Sequence, residues 1–273
     1  MKNRNSILVL ALIALFAFTT SCKQNAEENK DAETEAKTED LTETPAKISI
    51  AKLEGSPAYA DAALMLEDPA GAEISSGGAI DFTFKIENYE LGAQTDSPNA
   101  EKLANSGKGQ HIHFILNNQP YSAHYEPAFN KEIPDGVHHL VAFLSRSYHE
   151  SVKNENSVVV RKLMVGENPT DSLGLDMEAP TLIYSRPKGT YAGADAKSIL
   201  LDFFVLNTTL TADGNKVKAT INGEEFMITE WAPHVISGLP MGEVSIQLEL
   251  VDANGDVIPG PFNSVTRTVT LTE

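Results

Sequence analysis

IDFTFKIE, residues 80–87, decides the fold class. Ile80, Phe82, Phe84 and Ile86 fall on one side of an extended chain, and Asp81, Thr83, Lys85 and Glu87 on the other. That is the period-two pattern of an antiparallel strand with one face buried and one wet. VSIQLELVD, residues 244–252, does the same with Val244, Ile246, Leu248 and Leu250. Beyond the N-terminal segment no stretch carries a long helical period. Short alternating runs separated by turn residues predict an all-β chain with two tandem antiparallel β-sandwich domains, Ig-like in class.

The two halves also repeat each other. HIHFILNNQPY (111–121) aligns without a gap on KVKATINGEEF (216–226), and IPDGVHHLVAFL (133–144) on LPMGEVSIQLEL (239–250). ENSVVVRKLMV (155–165) echoes FNSVTRTVTL (262–271) in the same order. The acidic, Pro- and Gly-bounded GENPTDSLGLDMEAP reads as a linker over residues 166–180. The first sandwich is then expected over 51–165 and the second over 181–273. Separate cores would let a fragment of residues 178–273 fold alone.

The N-terminus bears on location. Lys2 and Arg4 precede an apolar run, Ser6–Phe18, which is too short for the ~20 residues a membrane-spanning helix needs. This pattern predicts a secretory signal over residues 1–21. Cys22, the only cysteine of the chain, follows directly, so no disulfide framework is possible. Residues 23–47 hold eight acidic and four basic residues and one large apolar residue, Leu41. Such a stretch cannot bury enough surface to offset chain entropy, and residues 22–50 are expected to form an acidic, disordered tether. The net charge of −17 opposes nucleic acid and anionic lipid surfaces.

FTTSC (18–22) resembles the lipobox of bacterial lipoproteins, with Thr19 and Ser21 where that pattern prefers Leu and Gly or Ala. The resemblance implies acylation of Cys22, with palmitate or a similar chain, and a lipid anchor. The acidic stretch after it resembles signals that send lipoproteins to the outer face of the outer membrane. NYELGAQT, HIHFILNNQPY, FLSRSYHESVK and IYSRPKGTY together resemble an uncharacterised family of cell-envelope lipoproteins over most of residues 55–273. That likeness implies an envelope location, the outer membrane of a Gram-negative bacterium. It brings no activity with it.

Six of the seven histidines fall between His111 and His149. His111 and His113 lie two apart on a strand and so share a face. Their counterparts in the second repeat are Lys216 and Lys218, which must meet water, so both histidines are expected to point outward. Asn117-Asn118 matches Asn222-Gly223 as a two-residue hairpin turn. That turn would set His113 opposite Ser122 and His111 opposite His124, unless a bulge near Pro120 shifts the register. His111, His113 and His124 would then form one exposed patch, titrating near the ordinary histidine pKa of about 6.5. Such a patch is either a site for zinc or copper(II) or three solvated side chains. Soft copper(I) is disfavoured, because no cysteine is available and Met65 and Met164 lie away from the cluster. His138 is expected in the core and His139 outside. His149, beside Arg146, Tyr148 and Glu150, could bind an anion or order its own loop, and the ordering role is the expectation.

Other chemistry is thin. DANGD (252–256) spaces oxygens like the start of a calcium loop but reads better as a hairpin turn. No phosphate loop or GxSxG elbow occurs. Trp231, Phe226, Tyr121 and Tyr125 read as packing residues. An enzyme is the minor reading. Two functions stay open: a lipid-anchored, non-enzymatic binding or assembly module for an envelope protein or small ligand, and a divalent-metal-binding envelope protein.

Overall fold

The computed structural model describes residues 47–273. The signal segment, Cys22 and the tether before residue 47 lie outside the described residues. The chain then enters a strand, β1 (Ser49–Lys52), within the expected tether, and Ile48 just before it is buried.

The first repeat supplies β2 (Ala63–Asp68), β3 (Glu73–Ile74), β4 (Gly78–Glu87), β5 (His111–Leu116), β6 (Ser122–His124), β7 (Ala128–Ile133), β8 (Gly136–Ser145) and β9 (Val158–Val165). The second supplies β10 (Thr181–Arg186), β11 (Gly189–Ala192), β12 (Ile199–Leu206), β13 (Lys216–Ile221), β14 (Glu224–Ile228), β15 (His234–Ser237), β16 (Gly242–Val251) and β17 (Ser264–Thr272). The first repeat pairs as β2-β4-β7 and β3-β9-β8-β5-β6, the second as β10-β12-β15 and β11-β17-β16-β13-β14. Each strand of one repeat thus has a counterpart in the other, down to the parallel edge pairs β3/β9 and β11/β17. The protein is all-β, with two tandem sandwiches of one topology.

Each sandwich closes over the alternating residues that the sequence marks. Phe82, Phe84, Ile112, Phe114 and Leu140 fill the first core, and Leu182, Phe203, Val217, Ile246 and Leu248 the second. A further cluster joins the two. Ile115, Tyr121, Val141 and Phe143 of the first repeat pack on Ile183, Phe204 and Phe262 of the second. This is possible because β5, β8 and β12 are buried on both faces rather than one. The outer face of the first repeat's five-stranded sheet therefore lies on the outer face of the second repeat's three-stranded sheet. β1 pairs with β15 and extends that second sheet, so residues 51 and 52, expected in the first sandwich, run along the second. Leu173 and Leu175 of the linker also pack onto the shared cluster.

Candidate metal centre

β5 places His111, His113 and Ile115 on the face turned away from the first core, as period two demands. That face does not meet water. The second sandwich and the loops beside it cover it, and His111 and His113 are each 0% exposed. The expected exposed patch is thus corrected: the pleat assigns the side correctly, and tertiary packing seals it. In the second repeat the matching face stays accessible, where Lys218 pairs with Glu249 at 2.8 Å.

His124 does not join the other two. The Asn-Asn turn forms, with φ of 51° and 54° at Asn117 and Asn118, and Gln119 N–H donates to the Leu116 carbonyl at 3.0 Å. Beyond it the pairing is displaced by one residue: Phe114 faces Ser122 and Ile112 faces His124. The displacement spans Gln119–Tyr121, where Pro120 has no N–H to give to the ladder. A one-residue shift turns every later side chain to the other face. His124 therefore stacks on Phe129, ring centroids 3.4 Å apart, on the core side. The second repeat has no proline there, and its register runs on evenly from Ile221/Glu224 to Ala219/Phe226.

His149 takes the vacated role. It sits at φ 70° in the tight loop after β8, a left-handed conformation that histidine adopts more readily than most residues. His149 N–H donates to the Arg146 carbonyl at 2.9 Å, and Arg146 N–H to the Glu150 carbonyl at 2.8 Å. The Arg146 guanidinium pairs with the Glu150 carboxylate at 2.9 Å, both side chains almost fully buried, and donates to the Ser151 carbonyl at 2.8 Å. Arg146 and Glu150 thus order the loop, and the imidazole between them is aimed at β5. No sequence period could reveal this, because His149 returns to the strand through loop closure.

His111 Nε2 lies 2.9 Å from His113 Nε2 and 3.1 Å from His149 Nδ1, and the three ligand atoms lie within 4.8 Å of one another. Outer groups set their orientation. His111 Nδ1–H donates to the Gly109 carbonyl at 2.8 Å, and His113 Nδ1 meets Ser185 Oγ of the second sandwich at 3.3 Å. Gly109 is needed here, since at φ 85° a Cβ would collide with the carbonyls of Gly92 and Ala93. Burial holds all three rings neutral. It pushes the His111 pKa down to about 4 and those of His113 and His149 well below the usual histidine range, with Arg186 and Lys188 adding to the effect.

Protons satisfy this arrangement only in part: the Tyr121 hydroxyl can donate to His149 Nδ1 at 3.2 Å, which leaves the lone pairs of His149 and His111 facing each other at 3.1 Å. With Nδ1–H committed to Gly109, neutral His111 has one in-plane lone pair on Nε2. Two other ring nitrogens approach it. If His113 Nε2–H donates to it, His149 Nδ1 either competes with a second proton or presents a facing lone pair. A metal ion removes the conflict by accepting all three lone pairs. Metal–nitrogen bonds of about 2.0–2.1 Å put neighbouring ligand nitrogens roughly 3 Å apart; the two distances from His111 Nε2 have this spacing, and all three atoms lie within 4.8 Å. The carbonyl and hydroxyl on the far ring nitrogens are the outer partners such ligands usually have.

The remaining expectations can be placed. His138 is buried in the first sandwich, accepting from Asn117 Nδ2 and donating to the Pro134 carbonyl, each at 2.9 Å. His139 faces the second sandwich near Phe262, covered rather than outside. Asp252 accepts the backbone N–H groups of Asn254 and Asp256 in a turn. Tyr121 belongs to the shared core and also stacks on His113 at 3.5 Å.

No family model matches the chain, and no curated relative matches it. Solved structures show distant likeness. The chain is 13% identical to the fibronectin(III)-like modules of Clostridium thermocellum CbhA, over 77% of this chain and 94% of that one, at a TM-score of 0.27. It is 8% identical to the tandem V-type regions of the v-region-containing chitin binding protein VCBP3, over 83% and 99%, at 0.23. It is 12% identical to Bacteroides ovatus SGBP-B of a mixed-linkage glucan utilization locus, over 77% of this chain and 48% of that one, at 0.22. At these values the likenesses carry no argument about activity. The strand pairing itself defines the class: a tandem Ig-like β-sandwich protein with a buried three-histidine cluster where the sandwiches meet.

Proposed function

We propose that this chain is a cell-envelope lipoprotein, anchored through Cys22, that binds one divalent transition-metal ion, zinc or copper(II), at His111, His113 and His149. What carries the metal reading is the convergence of three neutral ring nitrogens within 4.8 Å of one another, two of them with lone pairs facing at 3.1 Å. A binding role is favoured over a hydrolytic one. A hydrolytic ion keeps a coordination position open to water and substrate, whereas His111 and His113 are sealed between the sandwiches. Isothermal titration with zinc and copper(II) near neutral pH tests this. One ion should bind to the wild type and to His124→Ala. His149→Ala should lose more than the ~10–100-fold that removal of an outer partner costs. Equal binding by His149→Ala sinks the site.

The anchor rests on the signal pattern and the lone cysteine at its end. Cys22→Ser should abolish incorporation of labelled fatty acid and release the protein from membranes. One acyl chain holds a protein only marginally, so unchanged retention together with unchanged labelling would reject this anchor. If the titration fails and the anchor holds, the remaining function is a non-enzymatic binding or assembly module on the envelope.

A further inference from the structure

Two basic side chains stand beside the cluster without a carboxylate to answer them. Arg186 is 7% exposed. Its Nη1 donates to the Tyr191 hydroxyl at 2.8 Å, and its Nε has no partner. Lys188 Nζ donates to the Tyr121 carbonyl at 2.7 Å and lies 3.8 Å over the Tyr121 ring. Among the described residues neither is in an ion pair. The chain carries 38 acidic residues against 21 basic ones, so composition does not explain the lack. Burying a charge without a counter-charge is strongly unfavourable. A divalent ion on three neutral imidazoles would add positive charge to the same volume.

One group lies between the cations and the cluster. The Tyr121 ring stacks on His113 at 3.5 Å, with an interplanar angle of 12°, which leaves its other face to Lys188. Arg186 sits 5.3 Å from the same ring. The Tyr121 hydroxyl is 3.2 Å from His149 Nδ1. We infer that Tyr121 supplies the fourth ligand of the metal, as a phenolate oxygen, with Arg186 beside its ring and Lys188 over it. This rests on the three-histidine reading above. On coordination the phenolic O–H bond breaks, an oxygen–metal bond forms, and the proton leaves to solvent. The resulting anion answers the metal, the buried Arg186 and the half-buried Lys188. The register displacement at Pro120 is what brings Tyr121 to the histidine face.

The test uses copper(II) sulfate added to the full-chain protein. The wild type should bind one copper(II) and develop a visible phenolate-to-copper charge-transfer band. Tyr121→Phe should still bind copper(II) through the three histidines but lack the band. Resonance Raman excitation within the band should enhance tyrosinate ring modes in the wild type, a readout that does not depend on the variant folding. Copper binding without such a band, or a band that survives in Tyr121→Phe, overturns the Tyr121 assignment and leaves the three-histidine site standing. Absence of copper binding, or binding indifferent to His149→Ala, overturns the site and the assignment with it.

Discussion

Asn118 ties the two sandwiches together with a single side chain. It occupies the turn after β5 with φ 54° and is 5% exposed. Its Oδ1 accepts from Tyr184 N–H at 2.8 Å, and its Nδ2 donates to the Leu182 carbonyl at 3.2 Å. Asn263 completes the set, accepting from Leu182 N–H at 2.9 Å and donating to the Pro180 carbonyl at 2.9 Å. These amides serve β10, an edge strand whose outer backbone groups have no strand partner and would otherwise be buried unsatisfied. Asn118→Gly keeps a residue at ease with positive φ but removes the amide. We expect a loss of about 1–3 kcal/mol in denaturant unfolding, because buried backbone groups are left without partners. A change near zero would show that water replaces the amide. Gly223 holds the matching place in the second repeat, where the turn faces solvent and no amide is required. Asparagine as a turn residue is legible in sequence; asparagine as a surrogate strand is not.

The β5–β6 hairpin and the loop after β8 jointly decide which histidines meet. The alternation of β5 places His111 and His113 on one face, and the sequence carries that much. The hairpin register depends on how the chain passes Pro120, and an even pairing would have delivered His124 to them. The observed displacement delivers Tyr121 instead and sends His124 to Phe129. The loop of Arg146 and Glu150 then provides His149. Its buried ion pair and backbone bonds hold the ring in place whether or not an ion is present, so the centre is largely preorganised. The proline was visible in the sequence as the place where the register could slip, but which way it slips depends on the sheet it joins.

Residues 47–273 form an asymmetric stack of two copies of one fold. The same face is dry in one copy and wet in the other. β5 and β8 carry Ile115, Val141 and Phe143 toward the partner sandwich, whereas β13 carries Lys216 and Lys218 and β16 carries Glu249. A head-to-tail contact of this kind would continue into a filament if its free face remained apolar, and these charged residues make that face polar. A fragment of residues 178–273 therefore loses more than a neighbour. It lacks β1, which pairs along β15, and it exposes Ile183, Phe204 and Phe262. It is expected to unfold without a cooperative transition or to self-associate, seen by circular dichroism and sedimentation. A monomeric fragment with a sharp thermal transition would show that each sandwich is stable by its own core.

The sequence by itself determined the strands, the duplication and the side of the sheet on which His111 and His113 lie. All of these follow from local periodicity and from turn residues with restricted backbone angles. Cys22 stands out in the sequence through the resemblance of FTTSC to a lipobox, and its acylation remains a proposal. The tertiary structure decided that the histidine face is covered, that β1 belongs to the second sandwich, that His149 rather than His124 completes the cluster, and that Arg186 and Lys188 stand beside it. Each of these depends on contacts between segments far apart in the chain. Such contacts are fixed by the packing of one sandwich on the other, and period two reads the same on a face that meets water as on one that meets a second sandwich.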